Sequence, residues 1–306
     1  MISVIIPCYN TLHFLEKNLQ SVIDFVTFCS GEIIIVDDGS EQNIQEFIDN
    51  KKNDKMVYFK QRNEGVASAR NKGILLAKYD TLLFLDSDDS LNFSILEDNF
   101  NKLISSDFCY WGAKKIFPDG KEKLYLTKRK ESSNELLISL FKREQQIFIG
   151  GFTVSKKIAS SLLFDIRYKY GEDLKFISES ILQSENILMI DSPLLNYIQH
   201  ADSAISNFSN YRFDSLYAIS SIKLEPSNQE LNSAREYLLK RDRIVILRTL
   251  SKSKSLRFII QYYYTNSDMR NVVKQHFGWG YLGFVNLLAY VVLYKSYRWM
   301  HNKLKY

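Results

Sequence analysis

Short apolar runs alternate with amphipathic stretches along the first ninety residues. The apolar runs predict four buried strands, at residues 3–6, 32–36, 56–59 and 81–85, and Pro7 is expected to close the first because proline cannot donate to a central ladder. Apolar residues recur at helical spacing over residues 12–23, 44–48 and 66–78. Such alternation predicts an α/β fold with right-handed strand-helix-strand connections, a mostly parallel sheet and helices on both faces of that sheet.

Beyond residue 90 the pattern stays mixed but is less regular. It predicts helices at 95–104, 135–141 and 174–183, strands at 108–111 and 187–190, a hairpin at 112–130 around Pro118-Asp119-Gly120, and extended segments at 148–154 and 194–200. After about residue 209 the character changes. Helices rich in Lys and Arg are predicted at 211–222 and 232–250, an aromatic stretch lies at 258–264, and an apolar stretch lies at 279–294.

Acidic residues follow two of the predicted strands directly. Asp86 and Asp88 come after residues 81–85, and Asp37 and Asp38 come after residues 32–36. A parallel sheet brings the carboxyl ends of its strands to one edge, where open α/β sheets bind ligands, so the four carboxylates are expected to share one crevice. Carboxylates one residue apart suit Mg²⁺ or Mn²⁺ held jointly with a substrate phosphate. The alternative is an acidic turn that opens the next helix, with Asp89 or Ser90 as its N-cap.

Charge is distributed unevenly along the 306 residues. The net charge is +5, but residues 240–306 hold 13 Lys or Arg against Asp242 and Asp268, so a mildly acidic body carries a strongly basic tail. A hydrophobic content of 45% is enough for a sizeable core. The three cysteines are odd in number and match no metal-site spacing, which predicts reduced thiols in the cytoplasm.

The basic tail predicts an anionic partner. An apolar stretch flanked by Lys295, Arg298, Tyr297 and Trp299 is typical of a helix that lies in a membrane interface. A helix packed on the body with a solvated basic face is the plainer alternative, and a nucleic-acid partner is not expected because no recognition motif accompanies the charge. No signal peptide and no membrane span are predicted, since apolar runs of about 18 residues are absent.

Five blocks in order make the sequence resemble the family 2 glycosyltransferases, which have the GT-A fold. The blocks are Ser3-Val4-Ile5-Ile6-Pro7-Cys8-Tyr9-Asn10, Ile35-Val36-Asp37-Asp38-Gly39-Ser40, Asn63-Glu64-Gly65 with Ala69-Arg70-Asn71, Phe84-Leu85-Asp86-Ser87-Asp88-Asp89 and Gly171-Glu172-Asp173. The resemblance covers about residues 2–206 and leaves the tail outside. It implies a nucleotide-sugar-binding GT-A domain over 1–208 and a helical, basic, aromatic-rich region over 209–306.

The resemblance also implies a role for each residue of the blocks. Asp88 would hold a divalent metal, Mn²⁺ or Mg²⁺, that bridges the donor diphosphate, with Asp86 on the metal or the ribose and His200 as a third ligand. Asp173 would take the proton of the acceptor hydroxyl, and Glu172 would help to position the acceptor. The donor would be bound by Pro7 and Tyr9 at the base, Asp37 or Asp38 at the base or ribose, the turn of Asn63 and Gly65, and Arg70 at the base or a phosphate.

Plainer interpretations exist for several of these residues. Asp173 could be a helix-opening acid stabilised by the helix dipole, Arg70 a solvated helix residue and His200 a surface residue. The acidic motif also fits an aspartate-nucleophile phosphatase that uses Asp86 and Asp88, or a non-catalytic receiver-like domain. However, a receiver would begin with its acid-bearing strand and be much shorter, and the phosphatase class needs its motif near the start of the chain.

These observations lead to one hypothesis. The chain is expected to be an inverting, metal-dependent hexosyl- or N-acetylhexosaminyltransferase that takes a sugar from a nucleotide-sugar donor, with a UDP-sugar favoured. The acceptor is expected to be a lipid-linked glycan in the assembly of bacterial surface polysaccharide, O-antigen or capsule. The tail would hold the enzyme on the anionic inner face of the cell membrane.

Overall fold

One mixed sheet forms the centre of the computed structural model, which describes residues 1–51, 53–199, 210–253, 256–277 and 280–303. Its strands within these residues are β1 (Ile2–Cys8), β2 (Glu32–Asp37), β3 (Met56–Lys60), β4 (Thr81–Phe84), β5 (Ser90–Leu91), β6 (Phe108–Ile116), β7 (Glu122–Tyr125), β8 (Phe152–Ser155) and β9 (Ile187–Ile198). They are ordered β3-β2-β1-β4-β8-β6-β9-β5, with β7 paired to β6.

Helices cover both faces of this sheet. In chain order they are α1 (Leu12–Phe28), α2 (Ile44–Asn50), α3 (Val66–Leu76), α4 (Phe93–Asp98), α5 (Phe100–Ser105), α6 (Ser133–Phe141), α7 (Lys156–Leu162), α8 (Glu172–Gln183), α9 (Asp214–Ser221), α10 (Gln229–Ser253), α11 (Leu256–Thr265), α12 (Ser267–Phe277) and α13 (Gly280–Lys303). A short 3₁₀ turn, Asn210–Phe213, precedes α9.

The first half of the chain forms the parallel part of the sheet, as the alternating pattern predicts. Strands β3, β2, β1 and β4 all run parallel, and β8 then pairs antiparallel with both β4 and β6. Side chains alternate between the two faces, so Val4 and Ile6 pack in one core layer and Ile5 in the other. The α/β prediction is confirmed.

The prediction that Pro7 ends the first strand is wrong, because β1 continues through Pro7 to Cys8. Pro7 stands opposite Val36 of β2, whereas pairing with β4 stops at Ile5, which accepts the last bond from Leu85. Alternate residues of a parallel strand direct their hydrogen bonds to opposite neighbours. The missing N–H of Pro7 faces the β4 side, where the ladder has already ended, so the strand loses no bond.

Two predicted elements have different boundaries in the structure. The helix predicted at 95–104 is two short helices, α4 and α5, divided at Asn99, whose side chain donates to the carbonyl of Ile95 at 2.9 Å and competes with the backbone pattern. The two extended segments predicted around Pro193 are one strand, β9. Register shifts against β6 on either side of Gly112 absorb the extra residues. Helices α7 and α12 and strand β5 were not predicted.

The C-terminal helices share the hydrophobic core of the body. Ile219 of α9, Leu238 of α10 and Val291 of α13 belong to the same buried cluster as Phe176 and Ile177 of α8. These helices therefore pack on one face of the sheet domain by burying apolar side chains. Across the described ranges, no helix combines the length and the apolar character that crossing a membrane requires.

Helix α3 lies directly on β1 because Gly73 has no side chain. A Cβ atom at this buried position would overlap Cγ2 of Ile5, which belongs to the central strand and is fully buried. The close approach places the N-terminal half of α3, including Arg70, over the carboxyl edge of the sheet.

We predict that Gly73→Val lowers the free energy of unfolding by about 1–3 kcal/mol, because the added carbons force α3 away from Ile5. Urea denaturation measures the effect. The control is Leu75→Ala on the same helix, where the side chain is 68% exposed, and its expected change is within about 0.5 kcal/mol. Equal midpoints for Gly73→Val and wild type would contradict this account of the α3–β1 contact.

Candidate active site

The turn that carries the acidic motif is fixed to the first strand-to-helix connection. The Ser87 hydroxyl donates to Oγ1 of Thr11 at 2.9 Å, and Nδ2 of Asn18 in α1 donates to the carbonyls of Ser87 and Asp89, each at 3.2 Å. These bonds explain why the motif does not continue into a helix N-cap. The chain enters β5 instead, and the turn has one conformation at the carboxyl edge of β4.

The acids of this turn lie in different environments. Asp89 is buried and its Oδ1 accepts the N–H of Ile198 at 3.0 Å. Burial raises the pKa of Asp89 to about 9, and repulsion from Asp86 and Asp88 adds to the increase. Asp86 and Asp88 are only half-buried. They are the carboxylates of the turn that an incoming ligand can reach.

Arg70 connects the acidic turn to a second part of the chain. Its Nη2 lies 2.8 Å from Oδ1 of Asp86, and its Nη1 lies 3.5 Å from Oε1 of Glu172. The guanidinium also lies over the ring of Phe164, 5.3 Å from the ring centroid, and the residue is only 4% exposed. The sequence hypothesis had Arg70 reaching the base or a phosphate of the donor, whereas the structure places it between two carboxylates.

Glu172 and Asp173 form the start of helix α8. Gly171 precedes them in the left-handed region with φ of +84°, which turns the chain into the helix. Burial raises the pKa of Glu172 to about 7, the adjacent Asp173 adds to it, and Arg70 opposes both. Asp173 is half-exposed in the first turn of this helix.

Asp86, Arg70 and Asp173 line one cleft with a volume of about 500 Å³. Aromatic side chains contribute to its wall, and so do residues of the C-terminal helices. The aromatic residues are Tyr125, Phe148, Tyr170 and Tyr197, and the charged residues besides Arg70, Asp86 and Asp173 are Lys115, Arg143, Arg212, Arg241 and Asp242. The tail thus forms part of the wall that faces Asp173.

Asp37 and Asp38 use their oxygens to hold the chain itself. Asp38 accepts the N–H groups of Glu64 at 2.9 Å and Gly65 at 2.8 Å, together with Nε2 of Gln61 at 2.8 Å. Both carboxylates are buried. The predicted Asn63-Glu64-Gly65 turn is therefore built on Asp38, and Gly65 adopts φ of +94° there.

Asp37 is held in the same way by the end of β2 and by β3. Its oxygens accept the Ser40 N–H and the Tyr58 hydroxyl, at 2.8 and 2.7 Å. Burial alone would raise the pKa of Asp37, but these hydrogen bonds and the nearby Lys60 outweigh it and hold the pKa below its usual value. The carboxylate therefore stays charged and fixes the loop after β2.

The remaining predicted site residues are Pro7, Tyr9, Asn63 and His200. Pro7 is buried in β1, while Tyr9 and Asn63 are exposed on the loops at the carboxyl edge of the sheet. The loops after β1 and β2 are joined there, because the N–H of Asn10 donates to Oγ of Ser40 at 2.9 Å. His200 lies outside the described residues.

The acidic turn offers two half-buried carboxylates, Asp86 and Asp88. Among the residues that the structure describes, no group of three or more His, Cys, Asp or Glu could hold a metal by itself. Mg²⁺ and Mn²⁺ are commonly bound by one or two carboxylates together with substrate phosphates. Asp86 and Asp88 offer that donor set. Repulsion from these two carboxylates contributes to the raised pKa of Asp89, and a bound cation would reduce that repulsion.

Comparison with known proteins gives a family match over the part of the chain that holds the acidic turn and Arg70, and this match ends before Glu172 and Asp173. The family model described as glycosyl transferase family 2 matches residues 3–163. An uncharacterized glycosyltransferase of Rickettsia bellii is 38% identical over 110 residues, which are 36% of this chain and 16% of that protein. A Rickettsia typhi glycosyltransferase, also uncharacterized, is 29% identical over 226 residues, 69% of each chain. The minor teichoic acid biosynthesis protein GgaA of Bacillus subtilis is 26% identical over 196 residues, 60% of this chain and 44% of GgaA.

The first of these relatives is much longer than the part of it that this chain matches. Among solved structures, residues 1–349 of TarS from S. aureus superpose with a TM-score of 0.64 at 18% identity, covering 97% of this chain and 91% of that one. The same fragment in complex with UDP-GlcNAc gives a TM-score of 0.56 at 16% identity, covering 90% and 80%. This likeness shows the fold, and the family match favours a glycosyltransferase over the phosphatase and receiver alternatives.

We predict that Glu172 makes folding stability depend on pH. Its folded-state pKa of about 7 lies above the ordinary 4.5, so the folded chain keeps a proton that the unfolded chain releases. Relative to Glu172→Gln, wild type should lose about 2–3 kcal/mol of unfolding free energy as the pH rises from 4.5 to 7.

Urea denaturation of wild type and Glu172→Gln at several pH values measures this difference. Glu16→Gln, on the exposed side of α1, is the matched control and should follow the wild-type curve. Parallel curves for wild type and Glu172→Gln would show that Glu172 titrates normally.

Proposed function

The chain belongs to glycosyl transferase family 2, and we propose that it is an inverting, metal-dependent enzyme that transfers a sugar from a UDP-sugar to a hydroxyl of a lipid-linked surface glycan. One observation carries the proposal. Asp86 and Asp173 are far apart in the sequence but line the same cleft, and Arg70 contacts both Asp86 and Glu172, the neighbour of Asp173.

Asp173 is the proposed general base. Its carboxylate is half-exposed on the cleft, in the first turn of α8, where it can accept the proton of an acceptor hydroxyl bound in the cleft. As it removes the proton of the acceptor hydroxyl, the oxygen attacks the anomeric carbon from the face opposite the departing UDP, which inverts that carbon. Glu172 cannot take this role in the same way, because it is buried against Arg70.

Arg70 is proposed as a positioning residue. Its guanidinium contacts Asp86 of the acidic turn and Glu172 of α8 at the same time. The acidic turn, which would bind the donor, and the start of α8, which would activate the acceptor, therefore keep a fixed spacing. Asp86 and Asp88 would hold Mn²⁺ or Mg²⁺, with His200 a further ligand by resemblance. When bound, the cation would neutralise the leaving diphosphate.

Donor and acceptor are proposed from the relatives and the tail. The TarS fragment was solved with UDP-GlcNAc, which supports a UDP-sugar, and GgaA is described as a teichoic acid biosynthesis protein. A bacterial surface polymer such as O-antigen, capsule or a related glycopolymer is therefore the proposed product. Residues 209–306 are proposed to carry the enzyme to the cytoplasmic membrane surface. Tyr9, Asn63 and the loops held by Asp37 and Asp38 would surround the nucleotide.

We predict that Asp173→Asn lowers the turnover number for transfer by about 10²–10⁴-fold, because the acceptor loses its general base. The dissociation constant for UDP with Mn²⁺ should stay unchanged. Release of UDP measures turnover and isothermal titration measures binding. Asp24→Asn, on the exposed face of α1, is the control.

We predict that Asp88→Asn changes UDP binding, which Asp173→Asn leaves unchanged. It should weaken UDP binding in the presence of Mn²⁺ and leave the weak binding in a chelator unchanged. Normal turnover in Asp173→Asn would remove that residue from the base role, and metal-independent binding in wild type would remove the cation from the proposal.

We predict that α13 contributes to binding on anionic vesicles through side chains that it leaves exposed. Val285 and Val292 are 38% and 48% exposed and stand seven residues apart on one face, whereas Leu287 and Val291 are buried in the core. Deleting the helix would uncover that core, so substitution gives the cleaner test. Val285→Glu with Val292→Glu should reduce sedimentation with phosphatidylglycerol vesicles by about tenfold or more.

Leu75→Glu is the control for this experiment, because Leu75 is exposed on α3 of the body. Wild type should bind phosphatidylcholine vesicles weakly, since the basic tail supplies the attraction. Equal sedimentation of wild type and the double variant would show that this face of α13 does not meet the membrane.

A further inference from the structure

Three arginines line the cleft of Asp173 without a role in the reaction described so far. Arg143 follows helix α6, Arg212 lies in the 3₁₀ turn and Arg241 lies on α10. Among the described residues that line the cleft, cations outnumber carboxylates by five to three: Arg70, Lys115, Arg143, Arg212 and Arg241 against Asp86, Asp173 and Asp242. Arg70 is already engaged by Asp86, so the other cations give the cleft its positive charge.

Arg143 occupies a backbone position that normally selects glycine. Its φ is +60°, and the bonds from Arg143 N to Leu140 O and from Glu144 N to Ser139 O form the C-terminal cap that usually has glycine at this point. Arginine is strained there, and strained non-glycine residues concentrate at functional sites. Within the described part of the chain, the buried Nε of Arg143 has no hydrogen-bond partner.

Arg241 belongs to the same patch as Arg143. Arg143, Arg241 and Asp242 line the same cleft, and the charges of the two arginines oppose the increase that burial causes in the pKa of Asp242. The contact between Arg241 Nη1 and Asp242 Oδ1 is long, at 3.8 Å, and the Arg241 side chain is 43% exposed. One carboxylate for two arginines leaves the patch positive and able to bind an anion.

The arginine patch is attached to the helix that carries Asp173. The Arg212 guanidinium lies 5.8 Å from the ring centroid of Tyr170, and the N–H of Lys169 donates to Oδ2 of Asp214 at 2.8 Å. Gly171 also packs so closely on α9 that a Cβ atom there would lie 2.9 Å from Cα of Ser215. The C-terminal helices therefore hold the patch and the start of α8 in fixed relation.

We propose that Arg143, Arg212 and Arg241 bind a phosphate group of the acceptor while its hydroxyl faces Asp173. The acceptor class is thus a phosphate-bearing glycan or polyol, an inference that rests on the proposed transferase function. Arginine suits this role because its planar fork donates two parallel hydrogen bonds to phosphate oxygens. The phosphate has two possible sources, a phosphodiester of the growing polymer or the phosphate of a polyprenyl carrier.

Titration of the full chain, saturated with UDP and Mn²⁺, tests the patch with the donor site filled. The phosphodiester probe is bis(glyceryl) phosphate, and the carrier probe is farnesyl phosphate. Arg143→Gly keeps the capping turn, since glycine adopts its conformation freely, and Arg241→Ala keeps a good helix former. Each should raise the dissociation constant of the bound probe about tenfold, which is the loss of one charge-assisted bond.

The chain supplies a matched control for each arginine. Lys142 and Lys240 directly precede Arg143 and Arg241, are exposed, and do not line the cleft. Lys142→Ala and Lys240→Ala should leave the dissociation constant within about twofold, because exposed charges outside the cleft are screened. The probe that wild type binds more tightly identifies the source of the phosphate.

Three results would overturn the inference. The first is a loss of probe affinity in the lysine variants equal to that in the arginine variants. The second is a dissociation constant of the probe for Arg143→Gly that matches wild type. The third is a weaker UDP affinity in Arg143→Gly, which would assign the patch to the donor. Binding of UDP with Mn²⁺ is measured on the same samples. If wild type does not bind UDP, the proposed function itself fails, whereas normal UDP binding with no response of the probes to Arg143→Gly rejects the acceptor class alone.

Discussion

The buried guanidinium of Arg70 is the interaction on which the site depends. It joins the turn after β4, at Asp86, to the start of α8, at Glu172, and it is itself only 4% exposed. Removing one partner of such a buried network is costly because the others keep their charge without compensation. The close contact of α3 with β1 at Gly73, the glycine turn at 171 and the stack on Phe164 all serve to hold this one group in place.

The sequence predicts the first half of the fold well because each strand there is a short apolar run that ends in a polar turn. It also singles out Asp86 and Asp173, which the structure places in the lining of one cleft. It does not predict that Asp38 would bind the backbone of Glu64 and Gly65, or that Asp89 would be buried, with a raised pKa, beside two half-buried acids. Neighbouring aspartates are indistinguishable in a linear pattern, and only the direction in which each side chain leaves the turn assigns its environment.

The C-terminal region, residues 209–306, was harder to predict for a physical reason. Basic and apolar residues alternate there, and such a pattern is compatible with a membrane surface, a packed helix or both. The structure shows that the helices bury one side in the shared core and bring Arg212 and Arg241 to the cleft. Arg143 gave no signal at all, since a left-handed arginine looks the same in the sequence as any other residue that follows a helix.

The packing of Gly171 on Ser215 has a consequence for how such enzymes diversify. Because the turn before the proposed base has no room for a side chain against α9, the two halves of the chain cannot drift independently at this point. A hybrid that joins residues 1–208 to the tail of a relative would need the same small residues on both sides of the seam. Where that fit is kept, exchanging the tail would exchange the arginines with it, so new acceptors could arise by recombination while the donor half stays unaltered.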